Sequence, residues 1–257
     1  MLNNHNWEEI KSRFHSAEPF NYVVIDNFWT DGFAQAVVNE FPAYDSPVWT
    51  YYHNAIEDKK TCNKWDSFPS HTYQAFSYLT NEFNHLMQYL INDDKLRPDQ
   101  GLHGGGWHAH STGGKNNIHL DYSIHPKLKL QRKLNIIIYM SPDWKPEWGG
   151  GLEVWSHDAE TNGPKECVNT IENKFNRAVI FDTTQNSWHG LPVELTCPAG
   201  TIRQSLAVYY VTPPVADADP RVKALFAPYG DQANDPEVLE IIKKRSDINQ
   251  APGVYRL

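Results

Sequence analysis

Between residues 101 and 212 the chain repeats one pattern: short apolar or alternating runs, each broken after a few residues by glycine, proline, asparagine or aspartate. Segments 117–123, 133–140, 151–156, 177–182, 190–196 and 202–211 all read this way. Runs this short fall below ordinary helix length, and strands at this spacing predict a sandwich or a barrel. A double-sheet jelly roll suits the pattern, because each strand buries one face and the two sheets leave a cavity between them. Gly104-Gly105-Gly106 and Gly113-Gly114 mark turns or close backbone approach.

The flanks differ. Trp7, Ile10 and Phe14 share one face of a helix over 7–17, and Tyr22-Val23-Val24-Ile25 reads as a strand. Thr30 or Asp31 caps a second helix that stops before Pro42, and a longer helix is expected over 71–92. After Pro213-Pro214 the chain turns polar, and Asp235-Pro236 opens a helix through Lys244. The expected fold is mainly β, a double-stranded β-helix (jelly-roll) core braced by α-helices. Residues 1–100 supply an N-terminal strand and bracing helices of the same domain, 101–212 the core, and 213–257 a helical tail acting as lid, interface or brace.

Composition excludes some partners. With 31 acidic against 23 basic residues the net charge is −8, which argues against a nucleic-acid backbone. Cys62, Cys167 and Cys197 are far apart and form no CxxC pair, as expected for reduced thiols in the cytoplasm. The N-terminus lacks a signal-peptide apolar region and no run is long enough to span a membrane, so a soluble cytoplasmic protein without membrane contact is expected.

His119-Leu120-Asp121 is the first motif that carries chemistry. Residues two apart on a strand face the same way, so this pair can occupy neighbouring positions on one metal. A distal histidine completes a facial triad with three positions open, the arrangement of non-haem iron(II). His189, in Ser187-Trp188-His189-Gly190 after the strand Ala178-Val179-Ile180-Phe181, is the candidate. HxD arises by chance in many chains, so the pair gains weight only from what accompanies it.

Arg203, Ser205, Ala207 and Tyr209 share one face of the strand that begins at Arg203. If that face is interior, Arg203 is a buried cation in need of an anion. A dicarboxylate would supply it through bidentate contacts, with Ser205 as a further donor. On a second strand Asn135, Ile137 and Tyr139 share a face, which offers a phenol to the same carboxylate and an apolar wall for its methylenes. The ordinary alternative makes Tyr139 a core residue and puts Arg203 in an internal salt bridge.

The ordered set resembles the prolyl-hydroxylase-like 2-oxoglutarate oxygenases. It comprises His119-Leu120-Asp121, Tyr139-Met140-Ser141-Pro142-Asp143-Trp144, Trp148-Gly149-Gly150-Gly151, Ser187-Trp188-His189-Gly190 and Arg203-Gln204-Ser205. Pro19 to Phe28 and Glu40-Phe41-Pro42 resemble that family's N-terminal strand and helix, and Gly104 to His108 resembles a microbial branch. The resemblance implies iron(II) on His119, Asp121 and His189, and 2-oxoglutarate held by Arg203 and Tyr139, with Asn135 facing the same pocket. It implies O2 as second cosubstrate, allows ascorbate as an auxiliary, and couples hydroxylation of a small-molecule or peptide substrate to release of succinate and CO2. The aliphatic C–H would belong to an amino acid, a prolyl peptide or a small metabolite. Where the family often has a tyrosine ahead of the first ligand, this chain has Trp107, His108 and His110.

His108 and His110 alternate on a strand and could face the pocket as substrate contacts, but read rather as exposed or structural; Lys127, Lys129, Arg132 and Lys133 could draw in an anionic substrate or a peptide, but read rather as a solvated loop. Trp144, Trp148 and Trp155 line a mouth or belong to the core. Two other readings stay open at this stage: a metal-dependent hydrolase on the same scaffold, which would not need Arg203 facing inward, and a non-enzymatic jelly-roll binding module.

Overall fold

The computed structural model describes residues 1–255. Its helices are α1 (Trp7–Ser16), α2 (Asp31–Val38), α3 (Ser70–Leu79), α4 (Asn84–Ile91) and α5 (Pro236–Ser246). The strands are β1 (Tyr22–Ile25), β2 (Thr50–His53), β3 (Glu57–Cys62), β4 (Arg97–Pro98), β5 (Gly106–His110), β6 (Lys115–Leu120) and β7 (Gln131–Tyr139). They continue with β8 (Leu152–Asp158), β9 (Gly163–Ile171), β10 (Ala178–Asp182), β11 (Trp188–Leu191), β12 (Arg203–Thr212) and β13 (Leu225–Phe226).

The strands pair antiparallel along the path β1-β10-β7-β12-β5-β3-β6-β11-β8-β9, with β13 added to β6, β2 to β3 and β4 to β12. This long sheet curls into a nearly closed barrel, a jelly-roll core with helices packed on one flank. Alternation explains the division of faces. On β7 and β12 the residues Leu134, Ile136, Ile138, Leu206, Val208 and Tyr210 point outward to Phe14, Phe28, Phe76, Leu79 and Phe83 of the helical layer, forming the largest apolar cluster. The intervening residues, Asn135, Ile137, Tyr139, Arg203, Ser205 and Tyr209, are left for the barrel interior.

Several expected elements shift. The single helix over 71–92 is two, because Thr80 Oγ1 donates to the Phe76 carbonyl and Asn81 Nδ2 to that of Ser77, side-chain bonds that end α3 early. The strand expected over 190–196 runs instead from Trp188 to Leu191, ahead of Pro192, whose missing N–H cannot extend the ladder. Strands β2, β3 and β9 carry mostly polar residues with little alternation of burial, so they lacked the pattern that marks the others. The tail helix begins where expected, with the Asp235 carboxylate accepting from the Glu237 and Val238 amides. The tail is bound to the barrel: β13 pairs with Leu120 and His119, and Arg245 Nε and the Tyr255 hydroxyl both donate to Glu57 Oε1, at 2.8 and 2.7 Å. Among the described residues no helix is long and apolar enough to cross a membrane. All three cysteines are free thiols.

Candidate active site

His119 lies on β6 and Asp121 one residue beyond its end, so both point to the same face. Strand β11 pairs with β6 in a register that sets His189 directly opposite His119, with ring centroids 4.5 Å apart. The backbones approach closely there: a Cβ on Gly190 would meet the Asn116 and Asn117 carbonyl oxygens at 2.7 Å, so only glycine fits after His189. His119, Asp121 and His189 are all buried, and one ligand atom from each lies within 4.8 Å of the others.

Outer contacts orient each of the three. His119 Nδ1 hydrogen-bonds the Asn117 carbonyl at 2.8 Å and His189 Nδ1 that of Ser187 at 2.7 Å. A ring nitrogen facing a carbonyl must be the N–H, so both Nε2 atoms carry free lone pairs toward Asp121. Burial holds the His119 imidazole down to about 3 and also depresses His189, so both rings are neutral near pH 7. Burial pushes the Asp121 carboxyl up, but Arg132 and the two imidazoles more than offset this, and it lies below its ordinary value. Two neutral imidazoles and one carboxylate are the donor set of an open divalent metal site.

The other end of the interior is built on β12, β5 and β7. Arg203 pairs in register with His110, and Ser205 with both His108 and Tyr139. Arg203 is 3% exposed, its Nε donates to the Gly150 carbonyl at 2.7 Å, and its guanidinium carbon lies 5.0 Å from the Tyr139 ring centre. It has no carboxylate partner within salt-bridge distance among the described residues, so the internal ion pair weighed from the sequence is absent. Burial lowers the Arg203 guanidinium and raises the Tyr139 phenol. The Tyr139 hydroxyl and both ring nitrogens of His110 are buried without a hydrogen-bond partner among the described residues. A buried cation lacking a counter-ion beside a free phenol fits the carboxylate of a dicarboxylic acid.

The structure places the other singled-out residues as follows. His110 is buried, and the Nε2 of the partly buried His108 is also enclosed, so neither ring is a surface group. Arg132 leaves its presumed solvated run and is 2% exposed, with Nη1 3.2 Å from Asp121 Oδ1, while Lys133 pairs with Asp182. Asn135 faces the interior and lies in register with Phe181, whose ring is 4.6 Å from that of His189. Trp144 and Trp148 pack edge to face beside Leu191 and Leu195, whereas Trp155 packs near Ile118 and Trp188. Sequence reasoning also missed Phe226, which stacks on His119 at 4.9 Å from a strand of only two residues. No local pattern could have found it.

Residues 105–211 match the model of the 2OG-Fe(II) oxygenase superfamily. A comparison with curated protein sequences finds no match. Among solved structures, a prolyl-4-hydroxylase from Pseudomonas putida superposes with a TM-score of 0.58 at 14% identity, covering 82% of this chain and all of that one. A prolyl hydroxylase from Trichoplax adhaerens, solved with a peptide of hypoxia inducible factor, gives 0.53 at 16% identity, over 80% of this chain and 89% of that one. HygX from Streptomyces hygroscopicus, solved with nickel, 2-oxoglutarate and hygromycin B, gives 0.52 at 12% identity, over 79% and 86%. These likenesses establish the fold, and the match over residues 105–211 supports an Fe(II)- and 2-oxoglutarate-dependent oxygenase over the hydrolase and binding-module readings. Over residues 105–211 the chain matches the 2OG-Fe(II) oxygenase superfamily, and its fold is that of the prolyl hydroxylases.

Proposed function

We propose that His119, Asp121 and His189 hold the iron, that Arg203 and Tyr139 hold the distal carboxylate of 2-oxoglutarate, and that the enzyme hydroxylates an aliphatic C–H bond of an amino acid, a prolyl peptide or a small metabolite. The observation that carries the reading is the buried Arg203 without a counter-ion, facing the same interior as the three metal-competent residues. Bound iron with 2-oxoglutarate supplies the oxidising chemistry: O2 is reduced, 2-oxoglutarate is decarboxylated to succinate and CO2, and one oxygen atom enters the substrate.

The chain's own residues do the rest. His119 and His189 present neutral Nε2 donors because their Nδ1 protons are already committed to backbone carbonyls. Arg203 neutralises the incoming carboxylate in a dry environment where an unpaired anion would be excluded. Tyr139 donates its phenol proton to that carboxylate, and Ile137 packs on the methylenes between. Ser205 stands between Arg203 and Ala207 on the same face and can add a hydroxyl.

The peptide and the hygromycin B bound by two of the structures above support either substrate size for this fold. The test is an anaerobic titration with iron(II), then with 2-oxoglutarate, followed by a screen for succinate release over free amino acids, prolyl peptides and small metabolites. Tight iron binding, a visible charge-transfer band with 2-oxoglutarate and one responsive substrate class are expected. A protein that binds iron but gains no band with 2-oxoglutarate would overturn the cosubstrate assignment.

A further inference from the structure

Asp121 is held unevenly. Its Oδ1 forms an ion pair with Arg132 Nη1 at 3.2 Å and accepts a hydrogen bond from the Tyr209 hydroxyl at 3.2 Å. Its Oδ2 is buried without a hydrogen-bond partner among the described residues and lies 3.8 Å from His189 Nε2. Arg132 itself has nowhere to move. Its guanidinium carbon sits 3.3 Å from the ring centres of both Tyr122 and Tyr209, a cation stacked between two aromatic faces. Its Nη2 donates to the His103 carbonyl at 2.6 Å. A Cβ on Gly104 would meet Nη2 at 2.6 Å, and that glycine has φ +79°, so the turn around the guanidinium requires glycine twice over.

We propose that Arg132, with Tyr209, is a positioning residue of the metal centre: the two tie up Oδ1 so that Asp121 meets the metal through Oδ2 alone. The proposal rests on the assignment of His119, Asp121 and His189 as ligands. Its chemical sense lies in the count of open positions. A carboxylate free to rotate can chelate with both oxygens and fill a fourth position. The reaction needs three, two for a chelating cosubstrate and one for O2. A carboxylate with one oxygen held by a clamped guanidinium nitrogen and a phenol resists turning. The Arg132 charge also balances the buried carboxylate before any metal arrives, so the site need not collapse when empty.

The test uses metal-free full-length protein carrying Arg132→Lys or Tyr209→Phe, titrated anaerobically with iron(II) and then with 2-oxoglutarate. Lysine keeps the charge but loses the planar fork, and phenylalanine keeps the packing but loses one hydroxyl. The iron dissociation constant should rise about 10- to 100-fold in Arg132→Lys and about 10-fold in Tyr209→Phe, the range for lost outer contacts to a metal ligand. At saturating iron the visible band with 2-oxoglutarate should weaken, since a chelating Asp121 competes for a position. A purely structural Arg132 would lower the melting temperature and leave both readouts as in wild type, and that result overturns the proposal. If Arg132→Lys does not fold, Tyr209→Phe decides by the same two readouts. A wild type that binds no iron, or a His119→Ala variant that binds it unchanged, instead defeats the ligand assignment and the positioning role with it.

Discussion

The two ends of the barrel interior are finished to different degrees. Around His119, Asp121 and His189 both histidines have an outer hydrogen bond, and the one carboxylate has a cation and a phenol against it. Around Arg203 the balance is open: a buried guanidinium bonded to a single carbonyl, a phenol and an imidazole without partners, and no anion. Buried polar groups left unpaired cost about 1–3 kcal/mol each, so an interior that keeps several is poised for a ligand that pairs them. The metal end has its charges paired, and its two Nε2 lone pairs and Asp121 Oδ2 are left facing one another. The far end is complete only with a carboxylate present.

That contrast can be broken most sharply at Asp121. Asp121→Ala should abolish iron binding and turnover, and should also destabilise the fold by about 3–5 kcal/mol because Arg132 is then a buried charge without its partner. Expecting such a variant to keep its fold intact would suit an isolated ligand and not this one. Thermal denaturation of the metal-free protein checks it; an unchanged melting temperature would mean that Arg132 finds another anion or that the pair is solvated. Arg203→Ala should behave in the opposite way. Removing a cation that has no counter-ion should cost little stability, while 2-oxoglutarate affinity falls by about 2–5 kcal/mol, on the order of 30- to 4000-fold. Arg203→Lys should recover only part of that, because a point charge lacks the fork. Dissociation constants from the anaerobic titration, with iron affinity as the control, decide the matter. Loss of iron binding in Arg203→Ala would erase the separation between the two ends.

Smaller effects sharpen the same picture. Tyr139→Phe should weaken 2-oxoglutarate by about 1 kcal/mol, roughly fivefold, with no change in iron affinity. Acid should act on both ends. His119 is held down to about 3, and burial together with Lys59 holds His108 at about 4. These rings stay neutral in the folded protein but gain a proton on unfolding near pH 6.5. The unfolded state therefore binds more protons below pH 6.5, and stability should fall as pH drops from about 6.5 toward 4. The slope of denaturant midpoint against pH over that window should be shallower in His108→Gln. An unaltered slope would assign the acid response to the other depressed imidazoles, His103, His110, His119, His125 and His189.

Much was already settled by the order of residues. Apolar, β-branched runs marked the strands β7, β10 and β12, and a spacing of two residues put His119 and Asp121 on one face because a strand allows nothing else. The same periodicity set Arg203 and Ser205 on one face of β12 and Asn135 and Tyr139 on one face of β7. Local signals also marked α1, α5 and its Asp235 cap. What only the tertiary structure decided is which of these faces meet and what each charge finds there. Tyr209 reaches Asp121 across 88 positions of sequence, and Arg132 looked like one more basic residue in a surface run. Phe226 covers His119 from a two-residue strand with no pattern of its own. Periodicity reports which way a side chain points from its own strand. The partner it meets depends on the register of distant strands, which is set by the packing of the whole barrel.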